Sequence, residues 1–162
     1  MSYDDFLKSK QFKNVIDGFD ATELIKPLAL YDFQKAIVRW ALKKGKAAIF
    51  ADTGMGKTFM QLAWSYCVHQ HDGGAVLIVA PLCVSRQTIQ EAKKLDIRFA
   101  NGPEIQYVIE TPKTTGIYCT NYERLKDIDL NFFSGLVLDE SSILKHQNSK
   151  IRMQIILKSK KL

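Results

Sequence analysis

The segment that most constrains this chain is Ala51–Thr58, which reads ADTGMGKT in one-letter code. It follows a short apolar run, Ala47–Phe50, and it opens into Phe59–Trp64, a segment with helical character. A strand, a glycine-containing loop and a helix in this order form the local structure that binds phosphate groups. The sequence therefore predicts a short buried strand over Ala47–Phe50, a phosphate-binding loop and a following helix.

The residue types in this loop suit a nucleoside triphosphate. Gly54 and Gly56 allow backbone conformations in which successive amide N–H groups turn toward the phosphates, and the helix dipole adds to that field. Lys57 can reach the outer phosphate oxygens, and the Thr58 hydroxyl can coordinate Mg²⁺. Ala51 departs from the general pattern, which has glycine there. We expect the nucleotide to be bound by Thr53, Gly54, Met55, Gly56, Lys57 and Thr58.

Apolar runs alternate with segments of helical periodicity along the rest of the chain. Helices are predicted over residues 30–42 and 84–95, and strands over 75–80, 105–109, 116–120 and 135–138. This alternation favours an α/β fold with a mostly parallel sheet and helices on both faces. Residues 1–25 suit one or two short amphipathic helices. We therefore divide the chain into an N-terminal helical extension, 1–26, and a nucleotide-binding domain, 27–162.

Two adjacent carboxylates, Asp139 and Glu140, follow the last predicted strand. Ligands of open parallel sheets bind at the carboxyl ends of the strands, so this pair can lie beside the phosphate-binding loop. Asp139 would then hold Mg²⁺ together with Thr58, and Glu140 would accept a proton from the attacking water. This interpretation requires Thr58 and Asp139 to lie close enough to share one ion.

The composition restricts the partners and the compartment. A net charge of +6 is compatible with a polyanionic partner, and the excess of basic residues is concentrated toward the C-terminus. There is no run of 18 apolar residues and no signal-peptide pattern at the N-terminus, so we expect a cytoplasmic chain without a membrane partner. Three widely spaced cysteines indicate buried thiols and neither a disulfide framework nor a zinc site. His69 and His71 point to different faces of a helix, which disfavours a metal site there.

Taken together, these segments resemble the first RecA-like domain of superfamily 2 helicases and translocases, particularly the Swi/Snf-like branch found in bacterial and phage proteins. The resemblance covers residues 27–157 and implies a P-loop NTPase fold of the RecA-like type. Tyr31-Asp32-Phe33-Gln34 is similar to the Q motif of that family, which implies that Gln34 contacts the adenine of ATP. Ala51–Thr58 resembles motif I, which implies ATP and Mg²⁺ as cofactors.

Two further segments resemble the motifs that contact nucleic acid in the family. Residues 79–82 are similar to motif Ia and residues 120–123 to motif Ib, which both touch the sugar-phosphate backbone. The resemblance implies a nucleic-acid partner, DNA more than RNA. It assigns this contact to Pro81, Arg86, Thr120 and Asn121.

Residues 139–142, Asp-Glu-Ser-Ser, resemble motif II with a departure. The family commonly has Ala-His or Ala-Asp after Asp-Glu, and its histidine helps to couple hydrolysis to the rest of the motor. Ser142 can form hydrogen bonds but cannot carry charge, so the departure affects coupling more than binding. The downstream residues Ile143, Leu144, Lys145, Asn148 and Ser149 keep the Swi/Snf-like pattern.

The resemblance also implies parts that this sequence does not contain, namely a strand with motif III and a second RecA-like domain. The second domain supplies arginine fingers, which are worth a factor of ~10³–10⁵ in turnover. The motif III strand would lie between the P-loop strand and the motif II strand. We therefore expect a C-terminally truncated chain with an incomplete sheet, poorly stable unless a second RecA-like domain or another polypeptide completes it.

Three functions remain open at this point. The first is an ATP-binding module of an ATP-dependent DNA helicase or translocase, with Lys57 and Glu140 as catalytic residues and weak hydrolysis without the second domain. The second is a nucleotide- or nucleic-acid-binding fragment without turnover that regulates a full-length relative. The third is a small-molecule P-loop kinase, which is disfavoured because no arginine-rich lid is present and the segments around Gln34, Asn121 and Asp139 would have no role.

Overall fold

The computed structural model describes residues 17–96, 105–141, 152–153 and 155–157 of the chain. The described ranges contain four α-helices of four residues or more: α1 Thr22–Ile25, α2 Asp32–Lys44, α3 Lys57–Asp72 and α4 Leu82–Asp96. Residues 152–153 and 155–157 are also helical. None of the helices in these ranges is long and apolar enough to cross a lipid bilayer.

The described strands form one parallel sheet. They are β1 Ala75–Val79, β2 Gln106–Tyr107, β3 Ile117–Thr120 and β4 Phe133–Leu138, in the spatial order β2-β3-β1-β4. β1 is the central strand, and its Ile78 lies opposite Cys119 of β3 and Val137 of β4. Short 3₁₀ helices, Tyr122–Asp127 and Leu130–Phe132, connect β3 to β4. The predicted α/β fold with a mostly parallel sheet is confirmed.

Local sequence explains the central elements. β1 is a run of apolar, mostly branched residues that is buried along its whole length, as expected for an interior parallel strand. α2 begins with a capping box in which the Tyr31 N–H donates a hydrogen bond to Gln34 Oε1 at 3.0 Å. It ends at Gly45, whose φ of 74° suits only a residue without a side chain. The helix predicted over residues 30–42 is thus present, over Asp32–Lys44.

The core lies on both faces of the sheet. On one face, Val76 and Ile78 of β1 pack with buried residues of α2 and α3, including Val38, Leu42, Met60, Ala63 and Cys67. On the other face, Leu77 and Val79 pack with residues of the β3–β4 connection and the C-terminal helical segment, including Tyr122, Leu125, Ile128, Leu130 and Ile155. Alternate residues of one strand thus serve two cores, as the period of a β-strand requires.

The prediction of a buried strand over residues 47–50 is wrong. This segment has no ladder partner among the described residues and is exposed to solvent, with Phe50 98% exposed. An extended segment becomes a strand only when a neighbour accepts its backbone hydrogen bonds, and apolar character alone does not supply that neighbour. The predicted strand over 105–109 is shorter than expected, because only Gln106 and Tyr107 pair with β3.

The thiol prediction holds for two cysteines of the three. Cys67 and Cys119 are buried, whereas Cys83 is exposed on α4. Burial raises the pKa of Cys67 to about 12 and that of Cys119 to about 11. The prediction is wrong for Cys83, because this residue lies on the solvent face of an amphipathic helix.

Several predictions lie outside the described residues. These are the helices within residues 1–16, Ser142 and the pattern from Ile143 to Ser149, and most of the basic C-terminal residues. The domain boundary between residues 26 and 27 stays a prediction. Ala21 and Ile25, on the N-terminal side of that boundary, are buried in the same core as α2 and α3.

Candidate nucleotide-binding site

The loop before α3 has the backbone conformation that phosphate binding requires. Gly54 and Gly56 both have positive φ, 83° and 73°. Gly56 has a second constraint, because a Cβ atom on this residue would lie 2.4 Å from Gln34 Nε2. A side chain at position 56 is therefore opposed by both the backbone angle and the neighbouring amide.

The N-terminus of α3 is open to an anion. Gly56 is the N-cap, no side chain caps the helix, and its first turn contains no acidic residue. The N–H groups of a first turn have no intrahelical partner, and the dipole makes this end of a helix positive. Residues 52–55 of the loop are exposed, so these donors and the loop can be reached by a ligand.

The Lys57 ammonium group lies along the loop. Its Nζ donates a hydrogen bond to the carbonyl oxygen of Ala51 at 3.1 Å, and the residue is half-buried. The atom that accepts this bond belongs to the backbone, so the replacement of glycine by alanine at position 51 leaves the acceptor unchanged.

Gln34 joins α2 to the loop. Its Nε2 donates to the carbonyl oxygen of Met55 at 3.0 Å while its Oε1 accepts from the Tyr31 N–H, and the residue is only 4% exposed. The structure thus brings the predicted adenine-contacting residue against the predicted phosphate loop. The Tyr31 ring, 74% exposed, and the Phe33 ring stack at 6.0 Å beside it.

The carboxylate of Asp139 lies against the face of α3 that carries Thr58. Gln61 Nε2 donates to Asp139 Oδ1 at 2.9 Å, although the two residues are 78 positions apart. Thr58 precedes Gln61 by three residues, so their side chains are neighbours on one face of the helix. The structure therefore brings Thr58 and Asp139 to the same side of the molecule.

The backbone of Asp139 is held on two sides. Its N–H donates to the Val79 carbonyl at 2.8 Å, and the Tyr122 hydroxyl donates to its carbonyl oxygen at 2.5 Å. Burial raises the pKa of Tyr122, and the carboxylates of Asp139 and Glu140 raise it further. The tyrosine consequently stays a hydrogen-bond donor even at a pH at which an ordinary tyrosine ionises.

Glu140 has a conformation that is uncommon for its residue type. Its φ is 52°, and no other non-glycine residue in the described ranges has a positive φ. Its side chain is exposed just beyond the end of β4. Non-glycine residues in this region cost free energy and occur most often at functional sites.

The predicted nucleic-acid residues follow the same edge of the sheet but differ in access. Pro81 comes after β1 and is half-buried, and Arg86 is exposed on α4. Thr120 and Asn121, at the end of β3, are buried, and their side chains bond to Val108 O at 2.8 Å and Tyr107 Oη at 3.2 Å. Ser85 Oγ lies 3.1 Å from the carbonyl oxygens of both Ala80 and Thr120 and so links the two loops.

Sequence reasoning missed two residues of this site, Gln61 and Tyr122. Gln61 carried a usable signal, because it is a polar residue one turn after Thr58 on a helix that is largely buried. Tyr122 carried none, since its bond to Asp139 depends on the relative position of β3 and β4.

The donor set suits Mg²⁺ bound together with a triphosphate. Mg²⁺ usually takes one or two protein oxygens and completes its octahedron with phosphate oxygens and water. Thr58 supplies a hydroxyl, and Asp139 supplies Oδ2, to which no described residue donates a hydrogen bond. No group of three or more histidine, cysteine or acidic side chains that could form an all-protein metal site is found in the described ranges.

One comparison with known proteins bears on this arrangement. A family model described as DEAD/DEAH box helicase matches residues 31–161, which include the segments around Gln34, Lys57 and Asp139. No curated protein matches the chain.

Proposed function

This chain belongs to the DEAD/DEAH box helicase family, and from that premise we propose that it is the ATP-binding module of an ATP-dependent DNA helicase or translocase of the Swi/Snf-like branch. Membership supports a RecA-like helicase domain that binds nucleotide and acts with nucleic acid. The hydrogen bond between Gln61 and Asp139 carries the proposal, because it joins the helix of the phosphate loop to the strand that bears the acidic pair.

Each side chain has a proposed role in this site. The loop from Thr53 to Gly56 and the first turn of α3 bind the phosphates, and Lys57 neutralises their outer oxygens. Gln34 binds the adenine through its second N–H and the second lone pair of its Oε1. The bonds to Tyr31 and Met55 do not use these two groups. ATP and Mg²⁺ are the proposed cofactors, as is usual in this family.

Asp139 and Glu140 have different proposed roles in metal binding and proton transfer. Asp139 and Thr58 would hold Mg²⁺, which, when bound, neutralises charge that develops on the phosphates. Glu140 would accept the proton of the attacking water, and its exposed position beyond β4 suits this role. Proposed turnover is weak without a second RecA-like domain, because that domain would supply the arginine fingers.

DNA is the proposed polymer. Its contact with Arg86 on α4 differs from its contact with Thr120 and Asn121 at the end of β3. Arg86 is exposed and can pair with a phosphate through its side chain. Thr120 and Asn121 are buried, so their loop would contact the backbone of DNA through main-chain groups. Their side chains would instead stabilise the conformation of the loop through hydrogen bonds. The net charge of +6 favours such a polyanion.

A further polypeptide strand is the proposed partner at the open side of the sheet. No described strand pairs with the outer edge of β4, and this strand contains neither a charged residue nor a proline. Natural edge strands are usually protected by such residues. The segment 47–50, which is exposed and unpaired among the described residues, is the proposed second neighbour of the added strand. The assembly is proposed to act in the cytoplasm.

The test is ATP hydrolysis by the full chain, alone and with a second RecA-like domain supplied in trans, with and without double-stranded DNA, single-stranded DNA or RNA. We expect DNA to stimulate hydrolysis only when the second domain is present. Lys57→Ala should abolish nucleotide binding, whereas Glu140→Gln should abolish turnover and keep binding.

Matched controls separate these effects from general losses of charge. Lys113→Ala and Glu110→Gln change the same residue types at exposed positions away from the loop and should leave binding and turnover unchanged. Nucleotide binding with no turnover in any mixture would instead favour a regulatory fragment. A failure to bind nucleotide at all would overturn the proposal.

A further inference from the structure

The side-chain oxygen of Gln61 has no hydrogen-bond partner although it is buried. It is the one buried side-chain polar atom within the described residues for which no partner is found. An acceptor that is removed from water and left unpaired destabilises the folded state, so a folded protein seldom keeps one without a reason.

The chemistry of Asp139 determines which end of the Gln61 amide is unpaired. An ionised carboxylate can only accept hydrogen bonds, so it must face the NH₂ group of the glutamine. Turning the amide over would place two oxygens 2.9 Å apart, the distance that now separates Nε2 from Oδ1. The unpaired Oε1 is thus a consequence of the bond that orients the carboxylate.

The backbone of Gln61 is held in place by neighbouring groups. The buried hydroxyl of Ser65 donates to the carbonyl oxygen of Gln61 at 2.8 Å. The helix is also close to β4, because a Cβ atom on Gly135 would lie 3.0 Å from Val68 and 3.3 Å from Trp64. Since α3 and β4 are packed this closely, the helix that carries Gln61 is fixed relative to the strand that leads to Asp139.

We propose that Gln61 is a positioning residue of the metal site: its Nε2 orients the Asp139 carboxylate, and its Oε1 accepts a hydrogen bond from a water molecule of the bound Mg²⁺. This inference rests on the proposed function. Mg²⁺ retains several waters in protein sites, and these waters are hydrogen-bond donors. Thr58, one turn before Gln61, and Asp139, its direct partner, are the proposed protein ligands. Groups that orient metal ligands in this way are typically worth 10–100-fold in metal affinity.

The experiment measures binding of a fluorescent ADP analogue to the full chain, first in EDTA and then during a Mg²⁺ titration. In Gln61→Met, which removes both polar groups at similar volume, we expect nucleotide affinity in EDTA to stay within about twofold of wild type. The Mg²⁺ concentration that gives half of the change in nucleotide binding should rise roughly 10–100-fold. Gln70→Met changes the same residue type at an exposed position of α3 and should behave as wild type.

Thermal unfolding without ligand separates a structural role from a positioning role. Gln61→Met removes an unpaired buried oxygen, which favours folding, and also the hydrogen bond to Asp139, which opposes it, so the melting temperature should change little. A lower melting temperature with an unchanged Mg²⁺ midpoint would show a purely structural glutamine and overturn the inference. If Gln61→Met does not fold, Gln61→Asn provides the same test, because its amide is one methylene too short to reach Asp139.

The outcome for the wild type keeps the two proposals apart. If wild type binds no nucleotide in either condition, the proposed function fails. If wild type binds nucleotide with a clear Mg²⁺ effect and Gln61→Met has the same Mg²⁺ midpoint, only the role of Gln61 fails.

Discussion

At the scale of single residues, Gly54 and Gly56 separate two effects of a side chain in a phosphate loop. One is the conformational cost of a positive φ, and the other is a clash with a neighbouring side chain. Both have positive φ, so alanine at either position pays a conformational cost of about 1–2 kcal/mol. A Cβ atom at Gly54 meets nothing within 4 Å, whereas one at Gly56 meets the amide of Gln34. The difference between the two alanine variants therefore reports chiefly on the contact with Gln34, and the side chain of Phe59, whose Cδ2 would lie 3.3 Å from the new Cβ, adds a smaller contact.

We expect Gly56→Ala to lower the free energy of unfolding by about 1 kcal/mol more than Gly54→Ala does. The new methyl group would push Gln34 Nε2 away from the Met55 carbonyl, and one hydrogen bond is worth about that amount. Urea unfolding of both variants measures the difference. In a Gln34→Ala background most of this difference should disappear, and a difference of about 1 kcal/mol that persists there would refute the explanation.

At the scale of secondary structure, the two sides of β4 have different surroundings. Its inner edge pairs with β1, and the Asp139 N–H still donates to Val79 in this ladder. Donors alternate along a strand, so the N–H of Val137 also faces β1, whereas those of Leu136 and Leu138 face the outer edge. No strand of the described ranges pairs with that edge.

Amide hydrogen exchange should therefore show a two-residue period along β4. We expect Val137 to be protected and Leu136 and Leu138 to exchange faster by at least an order of magnitude, because an open edge can exchange without global unfolding. Addition of the polypeptide that supplies a completing strand should remove the difference. Equal protection of all three amides in the isolated chain would mean that this edge is already paired.

The elements that sequence predicts well are those whose cause is local. β1 and α4 follow from apolar periodicity, and α2 ends where Gly45 permits a positive φ. The segment 47–50 has an equally apolar sequence but is not a strand, since pairing depends on a neighbour that is remote in sequence.

The site shows the same division between local and remote causes. The phosphate loop could be predicted because its glycines and lysine lie within eight residues of one another. The bond between Gln61 and Asp139 could not, because it depends on how α3 packs against β4. The burial of Thr120 and Asn121 likewise depends on the neighbouring strand β2 and the residues that follow it.

At the scale of the whole molecule, the two cores are coupled through the sheet, and each contains an acid that must stay protonated. Cys67 and Cys119 belong to the core against α2 and α3, and Tyr122 belongs to the other core. Burial raises the pKa of all three, and nearby carboxylates contribute for Tyr122. The unfolded chain releases these protons at lower pH than the folded chain does, so the folded state loses stability as the pH rises.

The pH window follows from these pKa values. Below about pH 8 the thiols are protonated in both states and stability does not depend on them. Between the ordinary thiol pKa of 9.0 and the folded values of about 11 and about 12, each thiol lowers the free energy of unfolding. The slope approaches about 1.4 kcal/mol per pH unit for each thiol.

Urea unfolding between about pH 8 and about pH 10.5 tests this expectation, since the free energy of unfolding should be flat at first and then fall. In Cys67→Ala the slope of the free energy of unfolding against pH should be less steep by about 1.4 kcal/mol per pH unit. The cavity that this substitution creates lowers stability at every pH and does not change the slope. Cys83→Ala removes an exposed thiol and should leave the slope as it is. A slope that Cys67→Ala does not change would mean that solvent reaches this thiol in the folded chain, and the core between the sheet and α3 would then be less closed than its packing indicates.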